Sequence, residues 1–222
     1  MTTGKTALVF GASGLVGGNL VKELIQNPAY ARILIFVRNT LAIVHPKVNE
    51  FPFDKYTTAD LTDVATDDVH VFCCLGTTIK KAGTKEAFKH VDYGLPVEIA
   101  TWAKEKGISV FAVISSIGAN SKSGNFYLRT KGEMEDSVRA LGFTRLVIVR
   151  PSLILGNRTE FRLAEELAQM SSGVLNLILF GPLKKYRGIN ATSIAHAMML
   201  LANSNEQGEV FESDKLQEIG GK

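Results

Sequence analysis

Three glycines spaced three residues apart, Gly11, Gly14 and Gly17, stand between a short apolar run and a segment of helical periodicity. No other feature of the chain restricts its fold so tightly. Ala7 to Phe10 is short, apolar and partly β-branched, which suits a strand buried on both faces. Leu15, Val16, Leu20, Val21, Leu24 and Ile25 then recur at helical spacing until Asn27-Pro28 stops the helix. In such a strand–turn–helix Gly11 allows a tight reversal, Gly14 lets an anion reach backbone N–H groups, and Gly17 lets the helix pack closely on the strand. The residues Gly11, Ala12, Ser13, Gly14, Leu15, Val16 and Gly17 therefore read as a cradle for a dinucleotide pyrophosphate, with the helix N-terminus facing the phosphates. A glycine-rich surface loop is the alternative, and the flanking strand and helix argue against it.

The same alternation continues. Ile33 to Val37, Val48 to Phe53 and Val69 to Leu75 read as strands two to four. Tyr93 to Lys106 has helical spacing and closes on Gly107, Ile108 to Ile114 is a fifth strand, Asn125 to Leu141 a helix, and Arg145 to Val149 a sixth strand halted by Pro151. Strands alternating with helices through short connections specify an α/β fold: a Rossmann-like, doubly wound, mostly parallel sheet with helices on both faces. Past Pro151 the alternation fades into a helix around Phe161 to Met170, an apolar stretch Val174 to Phe180 and a late helix Ser193 to Asn203. With no linker or repeat in sight, residues 1–222 are expected to form one domain, 151–190 making a small substrate-facing cap, and the last ten residues to fray.

Several function classes are disfavoured by composition. The 222 residues suffice for a full core, and a net charge of +3 is far from the basic footprint of a nucleic-acid-binding domain. Cys73 and Cys74 are adjacent inside an apolar run, so they point to opposite faces of a strand and read as small buried hydrophobes rather than a disulfide. No metal-ligand spacing accompanies them, and the four histidines are scattered, so no metal is expected. The first strand begins within six residues of Met1 and no apolar segment approaches spanning length, which sets the expectation of a cytoplasmic protein without a membrane partner.

A second constellation follows the fifth strand. Tyr127 and Lys131 lie four apart and share one helix face, and Ser115 and Ser116 sit where the preceding strand ends, the rim at which open α/β sheets bind ligands. These residues resemble the short-chain dehydrogenase/reductase superfamily, with its glycine-rich first turn and Ser…Tyr-x-x-x-Lys site. The GxxGxxG spacing and Arg150-Pro151 look like its extended or atypical branch. The resemblance is closer to the Tat-interactive-protein-like oxidoreductases, through Phe72-Cys-Cys-Leu-Gly-Thr-Thr78, Lys81-Ala-Gly83, Ser115-Ser116, Asn125-Phe126 and Lys131-Gly-Glu133.

The resemblance implies carbonyl reduction by a nicotinamide, with Tyr127 as proton donor, Lys131 beside it and on the nicotinamide ribose, and Ser116 or else Ser115 on the substrate oxygen. A free phenol titrates at about 10, so a nearby ammonium is needed for it to cycle near neutral pH. The family often adds a relay Asn before strand five; this chain has Asp92 there, which either takes over the relay or caps the following helix. At the end of strand two stand Val37-Arg38-Asn39 with no carboxylate, so NADP(H) is expected through Arg38 on the 2′-phosphate, with NAD(H) second and simple cover of the sheet edge by Arg38 as the alternative. By resemblance Phe53 and Asp54 reach the adenine; Asp60 is a rival by motif but reads better as a polar residue of a short helix between strands three and four; Leu75, Gly76 and Thr77 line the ribose side, and Pro151 and Ile154 meet the nicotinamide amide. Phe126, Phe161, Leu179, Phe180 and Tyr186 are either pocket or core, and Arg187 either holds an anionic group or flanks a strand.

The expected function is thus an NADP(H)-dependent oxidoreductase acting on a small carbonyl or alcohol, with a homodimer through the Tyr127 helix suggested by relatives. A dinucleotide-binding redox regulator working through a protein partner is the second reading. A sugar-nucleotide epimerase is third, and the roughly 70 residues after Pro151 leave little room for its larger substrate domain.

Overall fold

Runs such as Lys5–Phe10 and Val69–Cys73 offer apolar side chains to both faces, so each needs cover above and below. The computed structural model, which describes residues 4–61, 65–156 and 181–221, supplies that cover with three layers. Strands β1 (Lys5–Phe10), β2 (Tyr30–Val37), β3 (Val48–Pro52), β4 (Val69–Cys73), β5 (Val110–Ile114), β6 (Arg145–Arg150) and β9 (Val210–Glu212) form one sheet in the order β3-β2-β1-β4-β5-β6-β9. Every pairing in it is parallel. The first six strands follow the doubly wound order, whose switch point lies between β1 and β4.

Helices α1 (Leu15–Gln26), α6 (Ala191–Ala202) and α7 (Ser213–Gly220) cover one face, where Leu20, Leu24, Ile194 and Met198 are fully buried against Ala7, Val9 and Val147. Helices α4 (Leu95–Glu105) and α5 (Phe126–Ala140) cover the other, with Ile99, Ala103, Met134 and Val138 on Leu8, Phe10 and Phe111. Cys73 faces the second core and Cys74 the first, both as free thiols. Short helices α2 (Ile79–Ala82) and α3 (Lys85–Lys89) lead through a π-helical turn, His90–Gly94, into α4. Among the described residues no helix is long and apolar enough to cross a membrane, and no cluster of three metal-ligating side chains occurs.

Three expectations need correction. The chain's end is not frayed: β9 pairs with β6, and Ser213–Gly220 is a helix with Leu216 fully buried and Gly220 so close to α6 that an added Cβ would lie 2.0 Å from the Ser193 carbonyl. Three strand residues and a sparse apolar pattern give little local signal; pairing with β6 makes the element. The connection after β3 is a 3₁₀ helix, Phe53–Thr58, so Asp60 lies beyond it rather than within it. Asp92 caps nothing, because Gly94 holds the cap position of α4. Of the expected cap, Ile154–Leu155 (β7) pairs with Ile189–Asn190 (β8) in a separate two-stranded sheet. The expected helix at Phe161 to Met170, the stretch Val174 to Phe180 and the side chains of Phe161, Leu179 and Phe180 fall outside the described residues.

Candidate active site

The site begins where β1 turns into α1. Gly11 has φ +84°, and a Cβ there would lie 2.6 Å from the Cys74 carbonyl oxygen, so only glycine lets this turn lie against the end of β4. A Cβ on Gly17 would lie 2.2 Å from the Gly11 carbonyl oxygen; helix and turn touch there. Helix α1 opens on Gly14 without a side-chain cap, which leaves its first-turn amides to an external acceptor.

Two cavities flank this turn. One, of about 340 Å³, is lined by Gly14, Leu15 and Val16 on one side and by Ser116, Tyr127, Lys131, Pro151 and Ile154 on the other. The second, of about 680 Å³, is lined by Gly11, Ser13, Arg38 and Phe53, together with Lys81 and His90. They share Gly14, Cys74, Leu75, Gly76 and Thr77, so one wall serves both. An extended two-headed ligand can lie across it. Of the expected site residues, Ala12, Gly17 and Asp54 line neither cavity: Ala12 and Gly17 are buried in the turn, and Asp54 is exposed on the 3₁₀ helix.

The chemistry-bearing groups meet in the smaller cavity. Asp92 and Lys131 are almost wholly buried, and Lys131 Nζ donates to Asp92 Oδ1 at 2.8 Å. Asp92 Oδ2 accepts the Thr77 backbone N–H at 2.8 Å, and Lys131 also reaches the Ile114 carbonyl at 3.4 Å. Burial alone would push the Lys131 ammonium down, but the Asp92 carboxylate, with Tyr127 beside it, outweighs that and holds it above the ordinary lysine range. Tyr127 is half-buried with its ring 5.7 Å from that of Phe88. Burial raises both thiols, Cys73 to about 12, so neither is a nucleophile near neutral pH.

The two serines separate. Ser115 Oγ is buried and donates to Glu135 Oε1 at 2.5 Å, and the same carboxylate takes both Arg150 Nε at 2.8 Å and Arg150 Nη2 at 2.5 Å. Among the described residues, Ser116 Oγ has a single 3.4 Å contact, to the Ile117 carbonyl, and it lines the cavity beside Tyr127. Sequence reasoning missed this Glu135 network, and it missed Lys81 and His90 on the wall near Arg38. The clue to Lys81 was Thr78, whose hydroxyl accepts the Lys81 N–H and caps the short helix that carries it. Arg38 itself is exposed, with no hydrogen bond among the described residues.

Residues 11–175 match the NAD(P)H-binding family. The chain is 36% identical over 220 residues to "Protein fmp52, mitochondrial" of Aspergillus fumigatus, covering 96% of this chain and 94% of that one. Among solved structures it resembles an oxidoreductase of the short-chain dehydrogenase/reductase family from Burkholderia thailandensis, with a TM-score of 0.62, 18% identity, and coverage of 92% and 87%. It also resembles the human epimerase family protein SDR39U1 (isoform 2) with NADPH, with a TM-score of 0.60, 18% identity, and coverage of 92% and 72%. The fold is therefore like that of these two structures, the Rossmann-like α/β architecture expected from the motifs. The cytoplasmic expectation is overturned: the fungal relative, and others like it, are named mitochondrial. The start of the sequence was a poor guide to compartment.

Proposed function

Because the chain belongs to the NAD(P)H-binding family, we propose that it is a mitochondrial, NADP(H)-dependent oxidoreductase that interconverts a small uncharged carbonyl compound and its alcohol. The observation that carries this reading is the common wall at Gly14 and Cys74–Thr77, with bases on one side and Ser116, Tyr127 and Lys131 on the other.

The glycine turn and the uncapped start of α1 suit a pyrophosphate, and Arg38, Lys81 and His90 line the larger cavity with no acidic residue among its described lining. That balance favours a 2′-phosphate over a bare ribose. When bound, the nicotinamide supplies the hydride for the carbonyl carbon. Tyr127 gives its phenolic proton to the carbonyl oxygen as negative charge develops, Ser116 donates a hydrogen bond to the same oxygen, and solvent returns a proton to Tyr127. Lys131, paired with Asp92, stands on the ribose side of the site. Pro151 and Ile154 line the same cavity and would pack against a bound nicotinamide. Asp92 and Lys131 pair with each other, and Leu15, Val16 and Ile114 line the same cavity, so an uncharged substrate fits better than an ionic one.

The test is a fluorescence titration with NADPH and NADH, followed by a panel of aldehydes and ketones assayed against Tyr127→Phe. Tighter binding of NADPH, with turnover lost in the variant, supports the proposal; binding of neither nucleotide, or unchanged turnover in Tyr127→Phe, removes it.

A further inference from the structure

Asp92 occupies a place where the chemistry demands a carboxylate. Two donors converge on it from different parts of the chain, the Thr77 amide in the segment after β4 and the Lys131 ammonium on α5, and each takes one oxygen at 2.8 Å. An asparagine has one acceptor oxygen and an NH₂, so it would leave a buried donor facing a donor. The π-helical turn His90–Gly94 carries Asp92 into this position, a widening of the kind often found at functional sites. Of the three Lys131 N–H groups, Asp92 and the Ile114 carbonyl engage two, leaving one for Tyr127 or a ribose hydroxyl.

We propose that Asp92 is a positioning residue that pairs with Lys131 so that Tyr127 faces a neutral couple rather than a bare ammonium, which keeps it a proton donor and biases the site toward carbonyl reduction. This rests on the reading of Tyr127 and Lys131 given above, but its test does not require turnover. Among the described residues, charged groups on the helices packed around the couple are engaged elsewhere. Lys89 of α3 pairs with Glu133 at 2.9 Å, Lys85 lies over the Phe126 ring, and Glu135 of α5 is held by Arg150. Cys73 and Cys74, at the end of β4, stay protonated through burial, and His90 of the π turn lines the other cavity. Asp92 is thus the anion that balances Lys131.

The experiment labels the full chain with ¹³Cζ-tyrosine, identifies the Tyr127 resonance by its loss in Tyr127→Phe, and titrates it without cofactor. In Asp92→Asn the midpoint should fall by about one unit or more, because the ammonium is then unbalanced. In Lys131→Met it should rise, and in the double variant it should return to within a few tenths of wild type. An unmoved midpoint in Asp92→Asn, or a double variant that shifts upward as far as Lys131→Met alone, overturns the proposal. Should Asp92→Asn not fold, the double variant, which buries no lone charge, still decides between these outcomes. Absence of carbonyl turnover would count against the proposed function and leave this titration standing.

Discussion

Replacing Gly76 by alanine should make the protein more stable and a worse nucleotide binder. A Cβ at this position would lie 3.5 Å from Asp92 Oδ1 and 3.9 Å from Lys131 Nζ, ordinary contact distances, and the backbone is outside the left-handed region. The fold therefore accepts the methyl, and loss of unfolded-chain freedom stabilises by about 0.4–1 kcal/mol. For a domain of this size that raises Tm by about 1–4 °C. The same methyl stands on the wall common to both cavities, where a dinucleotide must pass. Crowding a bound ligand by one methyl costs about 1–3 kcal/mol, so NADPH affinity should drop roughly tenfold to a hundredfold. Differential scanning calorimetry and a fluorescence titration read the two effects separately. Wild-type NADPH affinity in Gly76→Ala would refute the claim that the cofactor backbone crosses this wall.

Gly17→Ala, by contrast, forces a Cβ to within 2.2 Å of a backbone oxygen, and a urea melt should show a loss of about 3 kcal/mol or more. Arg38→Gln should weaken NADPH about tenfold while leaving NADH nearly unchanged; equal losses would make Arg38 sheet-edge cover only. Glu135→Gln strips the charge from a fully buried acceptor of Arg150 and should cost on the order of 3 kcal/mol in denaturant, with an unchanged midpoint marking the network as idle. His70 is pushed down to about 3, chiefly by burial and further by Lys5, so the unfolded chain binds a proton that the folded chain refuses. Its contribution is complete above the unfolded value near 6.5 and is lost as pH falls toward 3. Urea melts should show stability decreasing by up to about 1.4 kcal/mol per pH unit in that window, and His70→Gln should flatten the slope.

The parts of this fold legible in sequence are those whose signal is local. Ala7–Phe10, the glycine turn and the Leu20–Leu24 face carry their own periodicity, and the first six strands emerge within two or three residues of where the apolar runs put them. β9 does not, because three residues acquire strand geometry only from Ile148, Val149 and Arg150 beside them. The glycine turn, Arg38, Ser116, Tyr127 and Lys131 could be named because residue type and spacing mark them. Asp92 could be named without its partners: the sequence distance from Asp92 to Lys131 says nothing of a π turn that brings them to 2.8 Å. Asp54 illustrates the reverse, a suitable residue type that a 3₁₀ turn leaves exposed. Residue type puts Ser116 only narrowly ahead of Ser115 on paper; the buried carboxylate of Glu135, which engages Ser115, separates them.

A crystal structure of the chain soaked or co-crystallised with NADPH decides whether one nicotinamide dinucleotide spans both cavities. Continuous density is expected over Gly76, with the 2′-phosphate beside Arg38, the pyrophosphate at the start of α1, and the nicotinamide between Pro151–Ile154 and Tyr127. Density confined to one cavity, or a nicotinamide lying away from Tyr127 and Lys131, would contradict it.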